Sequence, residues 1–361
     1  MKPAQELGGV EILRFVCALS VLIWHYQHFF FIGAWDPATS VAIRPSLPLY
    51  REFSFFYENG SLAVQFFWAI SGFIFYWHYA DAIRERVVGF REFAVRRFSR
   101  LYPLHLLTLL LVACGQYVYY RLHGTTYIYL GNKPIWFATQ LLFASNWLAR
   151  QPESFNGPIW SVSIEILIYL TFFAVARITR FQALLAAGLS LAFALCFAYA
   201  NTFINPLVFE CGMYFFAGGL AQRASRRHGA FVLACVLAGV AMFMITKTDS
   251  SRLGLLLLAA TSVVIFARLG EGILRAPFRR LAFLGNATYS SYLLHFPLQL
   301  LTVIVVDRMG WSRSFFWSPV AFLGYLIVVV GLSLVVYREF EVAAQKRLRD
   351  LWRGSCPVAV A

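Results

Sequence analysis

Apolar residues in this chain gather into long runs separated by short polar stretches. Runs long enough to cross a bilayer as helices occupy about 12–32, 61–79, 101–121, 159–176, 182–199, 203–221, 229–246, 252–267, 281–306 and 318–338. The pattern predicts an all-α polytopic integral membrane protein of about ten transmembrane helices. Two intervening stretches are long. Residues 33–60 carry Pro37, Pro45 and Pro48, and residues 122–158 contain an apolar segment, 134–148, flanked by Gly131-Asn132 and Pro152. That segment reads as an interfacial or re-entrant element.

Composition agrees with the pattern. The 361 residues are 60% hydrophobic and 13% charged, whereas a soluble domain is about a quarter charged. So much apolar surface excludes a soluble enzyme, a disordered chain and a disulfide-stapled secreted fold. Residues 1–340 therefore read as one membrane domain and 341–361 as a short cytoplasmic tail. No signal peptide is evident, because the first run lacks a small-residue cleavage site. Of six cysteines, all but Cys356 fall in apolar segments, as small core residues do.

The net charge of +14 follows from topology. With the N-terminus in the cytoplasm, the inner segments hold 21 Lys and Arg and the outer segments 9, Arg14 lying within the first span. The inner count includes Lys2. This alternation fits the positive-inside rule and predicts N-in and C-in, with no nucleic acid involved.

Ionisable groups inside spans are costly and default to functional hypotheses. The candidates are Arg14, His25, His78, His105, Glu165, Glu210 and His295. Arg14 and His25 stand eleven residues apart, close to three helical turns, so they share a face about 16 Å apart along the axis. His25, His295 and Glu165 each fall about 20 Å from the cytoplasmic face and could line one cavity. A neutral imidazole there can take a proton from a hydroxyl, and a carboxylate can orient either group. The bland readings are interhelical hydrogen bonding for the histidines and an ion pair with an arginine for Glu165. His78 and His105 read as interfacial groups near the cytoplasm, able to snorkel.

Arg96-Arg97-Phe98-Ser99-Arg100-Leu101-Tyr102-Pro103 stands at the cytoplasmic end of the third run. Arg97 and Arg100 are one turn apart and suited to phosphate, or to topology and lipid contact alone. Ser71-Gly72-Phe73 lies in the second run, where Gly72 permits close approach of a helix or ligand.

These residues, in this order, resemble the bacterial membrane acyltransferase family 3. Arg14 and His25 match its Arg-then-ten-residues-then-His pattern, Ser71-Gly72-Phe73 its SGF motif, and Arg97 and Arg100 its RxxR motif. Residues 157–169, with Trp160, Ser161, Ser163 and Glu165, resemble its GPLWSLSxEEQFY block, although Ile166 and Leu167 replace an acidic residue and a Gln. Residues 285–297, with Tyr292 and His295, resemble its late SYSLYLLHWP block. The resemblance implies transfer of an acyl group, often acetyl, from cytoplasmic acyl-CoA to a hydroxyl of an extracytoplasmic or lipid-linked carbohydrate, such as exopolysaccharide or O-antigen. It implies His25 as catalytic base, Arg14 as its companion and Glu165 on the acceptor side or supporting the base. Arg97, Arg100, Ser71, Gly72 and Phe73 would serve acyl-CoA, the donor substrate, and Trp160, Ser163, Tyr292 and His295 would support the acceptor. No resident cofactor or metal is implied. The implied setting is the bacterial inner membrane, alone or with a separate periplasmic acyl-transfer or polysaccharide-assembly partner. A transporter or flippase of a lipid-linked or anionic substrate would also suit buried charge on ten helices, but no paired halves with interrupted helices are visible. A metal-dependent hydrolase lacks an HExxH or a tight His/Asp cluster.

Overall fold

The computed structural model describes residues 7–200, 202–247 and 250–354, so Lys2 and Cys356 lie outside the described residues. Those residues build a helical bundle, with two isolated β-bridges, Ala34 with Ile128 and Leu148 with Ile204. Among the described residues, nine helical segments are long and apolar enough to cross a bilayer: Gly8–Phe30, Tyr50–Arg84, Phe90–His123, Ile159–Ala176, Gln182–Tyr199, Ala230–Lys247, Ser251–Glu271, Thr288–Arg308 and Pro319–Trp352. This is an all-α polytopic membrane protein. The tenth expected span, 203–221, forms the helix Pro206–Ser225 but is too polar to join the nine.

Burial explains why that helix can be polar. Only 11% and 17% of the apolar stretches of Gln182–Tyr199 and Ala230–Lys247 are covered by protein, against 56% for Ile159–Ala176 and 72% for Thr288–Arg308. The first pair faces lipid and the second is enclosed. Pro206–Ser225 is enclosed too, with Tyr214, Phe215 and Phe216 among its buried residues. Neighbouring helices take the place of hydrocarbon, so Glu210 can accept from the Gln65 amide at 3.2 Å. A Cβ on Gly72 would stand 1.8 Å from the Phe215 carbonyl oxygen, and one on Gly218 would stand 1.8 Å from that of Ala69. The Ala63–Phe75 and Pro206–Ser225 helices therefore cross in backbone contact, which only glycine allows.

The stretch 122–158 returns into the bundle. His105 is fully buried, with its Nε2–H donating to the Gln140 carbonyl at 2.8 Å and the Phe143 ring stacked on it at 4.3 Å. His105 lies eighteen residues before the end of the Phe90–His123 helix, about 27 Å along its axis. Segment 134–148 is thus re-entrant, and the expectation that His105 snorkels at an interface is corrected. The Ser163 hydroxyl donates to the Phe143 carbonyl at 2.5 Å, and the Trp147 indole donates to the Ser163 carbonyl at 2.8 Å. Ile128, Phe143, Asn146, Arg150 and Phe155 all hold positive φ, a strain that only dense surrounding contacts sustain.

The last apolar helix, Pro319–Val336, continues through a π-helical turn, Tyr337–Glu341, into Val342–Gly354. The expected tail is therefore helical as far as Gly354. It packs on the Phe90–His123 helix, Arg349 Nε donating to Ser99 Oγ at 3.1 Å.

Candidate active site

Two apolar cores meet within the bundle. One includes Val21, Trp68, Phe75, Phe215 and Leu293, and the other includes Ile23, Tyr26, Phe29, Tyr127 and Phe296. His25 and His295 sit at their seam.

Local backbone geometry builds the seam. The first helix, Gly8–His25, tightens into a 3-10 turn, Tyr26–Phe30. Residues three apart eclipse in such a turn, which brings the His28 ring to 4.9 Å from His25, edge to face. The His295 ring lies 4.7 Å from His25 on another side. His25 and His295 therefore do share a level, as expected, although by another route than the expected single span. The stretch 281–306 is broken into short helices that end at Asn286, followed by Thr288–Arg308.

Hydrogen bonds fix the His25 tautomer. Its Nδ1 lies 2.8 Å from the Val21 carbonyl oxygen. A carbonyl only accepts, so Nδ1 carries the proton and Nε2 keeps its lone pair. Gln299 Nε2 donates to the His25 carbonyl at 2.8 Å and holds the turn. His28 Nδ1, His295 Nε2 and Gln299 Oε1 are buried without a protein partner. Buried orphaned atoms of this kind call for a bound polar group. His25 itself is half-buried, as are neighbouring Trp24 and Trp35.

Pro297 shapes the other side of the seam. It has no N–H to give the carbonyl four residues earlier. That carbonyl, of Leu293, accepts instead from the Asn156 side chain at 3.2 Å. Nearby, the Tyr292 and Ser161 hydroxyls are 2.7 Å apart. The Gly157-to-Tyr169 block and the Gly285-to-Pro297 block are thereby stitched together.

Beyond Tyr292 opens a cavity of about 350 Å3, at the lower end of the range for small-molecule sites. Arg14, Ser71, Arg97, Arg100, Glu165 and Tyr292 line it, together with Arg349 and Gln345 of the C-terminal helix. Four arginines thus surround one space. Arg14 pairs with Glu11 at 2.9 Å and Arg100 with Glu341 at 2.5 Å. Arg97 Nη2 donates to the Tyr79 hydroxyl at 2.6 Å and its guanidinium lies over the Phe75 ring at 4.9 Å. Glu165 sits beside Ser71 and Tyr169, and its Oε1 has no protein partner. The ion pair considered for Glu165 is not formed at contact distance: Glu11 and Glu341 occupy Arg14 and Arg100, and Arg97 turns to the Tyr79 hydroxyl.

The structure thus separates the expected residues into two groups. The cavity lining takes Arg14, Ser71, Arg97, Arg100, Glu165 and Tyr292, while His25 and His295 lie behind Tyr292, whose ring is 6.1 Å from that of His295. Gly72 faces the helix crossing rather than the lining, Phe73 is buried outside the lining and stacks on Trp77 at 6.2 Å, Trp160 packs edge-on against Trp68 at 5.8 Å, and Ser163 anchors the re-entrant loop. Sequence reasoning passed over His28, Gln299, Asn156, Glu341 and Arg349. A second His three residues after His25 was the available signal for His28. Arg349 counted only as a topology charge.

A family model described as an acyltransferase domain, acyltransferase family 3, matches residues 7–338. The chain is similar to acyltransferase MdmB of Streptomyces mycarofaciens, with 25% identity over 396 aligned positions that cover 99% of this chain and 95% of that protein. No solved structure matches.

Proposed function

Since the chain belongs to acyltransferase family 3 and is a multi-pass membrane acyltransferase, we propose that it acylates a carbohydrate hydroxyl, with acyl-CoA as donor and acetyl as the group moved. The acceptor is an extracytoplasmic or lipid-linked glycan such as exopolysaccharide or O-antigen. The membrane is the bacterial inner membrane, with both termini cytoplasmic, so the arginine-lined cavity takes the donor from inside.

One observation carries this reading: the His25 tautomer, whose Nδ1–H is tied to Val21 and whose Nε2 is free to accept a proton. In the proposed step, Nε2 takes the proton of the acceptor hydroxyl as its oxygen attacks the thioester carbonyl. The C–O bond forms, the C–S bond breaks, and the CoA thiolate leaves with a proton returned from His25. Donor phosphates are held by cavity arginines, whose forked guanidiniums suit phosphate oxygens. Glu165, with an unpartnered oxygen in the cavity, supports the thioester end or the approaching hydroxyl. Half-buried Trp24 and Trp35, with rings 5.9 Å apart, give the acceptor side apolar faces against which a sugar ring can lie.

The test is acyl-CoA consumption by the purified protein in vesicles, with and without glycan acceptor. Mass spectrometry of surface glycans from cells with and without the chain identifies the product. Acceptor-dependent CoA release, absent in His25→Ala, is the expected outcome. Release unaffected by His25→Ala removes the base assignment.

A further inference from the structure

We propose that Arg349 of the C-terminal helix, acting with Arg97, forms the anion clamp of the donor cavity, and that Arg100 holds that helix in place instead of binding the anion. The proposal rests on the donor reading above and refines it.

The four cavity arginines are not equivalent. Arg14 and Arg100 already face carboxylates, at 2.9 Å and 2.5 Å. The Glu341 side chain that holds Arg100 is only 1% exposed and also accepts from the Ser290 hydroxyl. An incoming phosphate would have to displace it, leaving a buried carboxylate with its charge uncompensated. Arg97 and Arg349, by contrast, have only neutral partners among the described residues. Arg97 has Tyr79, and its buried Nε has no partner. Arg349 has Ser99 Oγ at 3.1 Å and Gln345 Oε1 at 3.2 Å.

Position agrees with charge. Ser99 stands between Arg97 and Arg100 in sequence, so its bond to Arg349 sets that guanidinium beside the same helical turn. Both Arg97 and Arg349 line the cavity. Neither guanidinium has a carboxylate in contact, and the cavity's own carboxylate, Glu165, acts on Arg97 only from beyond ion-pair distance. Two guanidiniums so placed, facing one space, suit an anion with more than one negative charge. The helical backbone is irregular where each partner is delivered. Tyr79 comes from the π-helical turn Tyr76–Ala80, and Glu341 from the π-helical turn Tyr337–Glu341. Such turns recur at functional sites.

The ligand chemistry is a phosphate ester bearing several charges. Two sources share it: the adenosine 3′,5′-bisphosphate end of coenzyme A, and the headgroup of an anionic lipid. The experiment uses the full chain in nanodiscs of zwitterionic lipid. It measures binding of adenosine 3′,5′-bisphosphate, acetyl-CoA turnover, retained anionic lipid, and the melting temperature. Arg349→Gln is expected to weaken bisphosphate binding and raise the donor KM by about tenfold or more, with acceptor KM and melting temperature little changed. Arg349→Lys should recover part of the loss. Arg100→Gln is expected to lower the melting temperature, with a smaller effect on bisphosphate binding.

Equal bisphosphate binding by wild type and Arg349→Gln overturns the clamp and leaves the donor reading standing. So does an Arg349→Gln protein that loses only retained lipid, which assigns the site to the headgroup. A larger loss of bisphosphate binding in Arg100→Gln than in Arg349→Gln, at unchanged melting temperature, overturns the division of labour. A wild type that neither binds the bisphosphate nor turns over acetyl-CoA overturns the donor reading and this proposal together.

Discussion

The cavity and the imidazole seam lie side by side in one bundle, yet they are built on opposite rules. In the cavity, charges are fixed and mostly given partners: Glu11 for Arg14, Glu341 for Arg100, Tyr79 for Arg97. In the seam, groups that can gain or lose a proton are pressed together, and several of their polar atoms have no partner. The first arrangement suits holding a charged ligand still. The second suits moving a proton. A bundle that only conducted a substrate would not need the two kinds of site side by side.

The largest effect that tests the contrast is at His25. General base catalysis contributes about 10²–10⁴ in rate. His25→Ala is expected to lose acceptor-dependent turnover by at least that factor while inserting and folding normally, and His25→Gln should be no better. Turnover within tenfold of wild type in either variant would mean that the seam is packing, and the contrast would collapse.

The support of the seam's own turn is expected to break differently. Arg313 donates to Asp307 through Nε at 2.9 Å, to the Phe31 carbonyl at 2.5 Å and to the Tyr119 hydroxyl at 2.9 Å. Desolvation pulls the Arg313 pKa down, but hydrogen bonds and charge interaction with Asp307 and Tyr119 outweigh it and hold the pKa above its usual value. One side chain thus ties the end of the His28-bearing turn to two other helices. The pair is half-buried and Asp307 keeps His123 as a second partner, so the loss is that of a hydrogen bond to a charged group, about 1.5–3 kcal/mol. Arg313→Ala should lower stability by about that much and reduce turnover only in proportion to unfolded protein. A lost turnover in well-folded Arg313→Ala protein would show that the seam is more sensitive to its support than the hydrogen bonds indicate.

How far this contrast was legible in the sequence depends on distance along the chain. Arg14 with His25, and Arg97 with Arg100, are helical spacings, so their shared faces follow from 3.6 residues per turn. Apolar runs locate the helices because a bilayer sets their length. The seam was only half visible. His28 joins it because the helix tightens after His25, and no local propensity announces that turn. Glu341 reaches Arg100 across 241 residues, and Arg349 reaches Ser99 across 250. Such pairings are set by which helices become neighbours. The Pro206–Ser225 helix shows the converse: 203–221 reads as one more apolar span, and its enclosed position shows only in the packing. Gly72 was visible as a small residue, but whether a ligand or a helix approached it was not.

A smaller effect tests the stitch between the two motif blocks. Asn156 is fully buried and supplies the donor that Pro297 cannot give to Leu293. An orphaned buried carbonyl costs about 1–3 kcal/mol. Asn156→Ala should lose that much stability. Pro297→Ala would restore a backbone N–H to the same carbonyl, so the double variant should be more stable than the sum of the two single changes predicts. Strict additivity would mean that Asn156 acts through some other contact.

The smallest effect is at the partition itself. Tyr292 lines the cavity, approaches Phe67 at 6.2 Å and His295 at 6.1 Å between ring centroids, and is tethered by Ser161 at 2.7 Å. In the proposed transfer the thioester, held in the cavity, meets the seam beside this ring. Tyr292→Phe keeps the ring and removes the tether, a bond with a net value of about 1 kcal/mol. If the tether holds a barrier closed, the variant should turn over donor faster, by up to several-fold, and should leak acyl groups to water without acceptor. If the tether instead holds the ring in a position the reaction uses, turnover should fall by the same small factor without leakage. Ser161→Ala removes the same bond from the other side and should act in the same direction. Opposite responses of the two variants would show that the hydroxyl of Tyr292 acts on the substrate itself, and the partition would then belong to the seam.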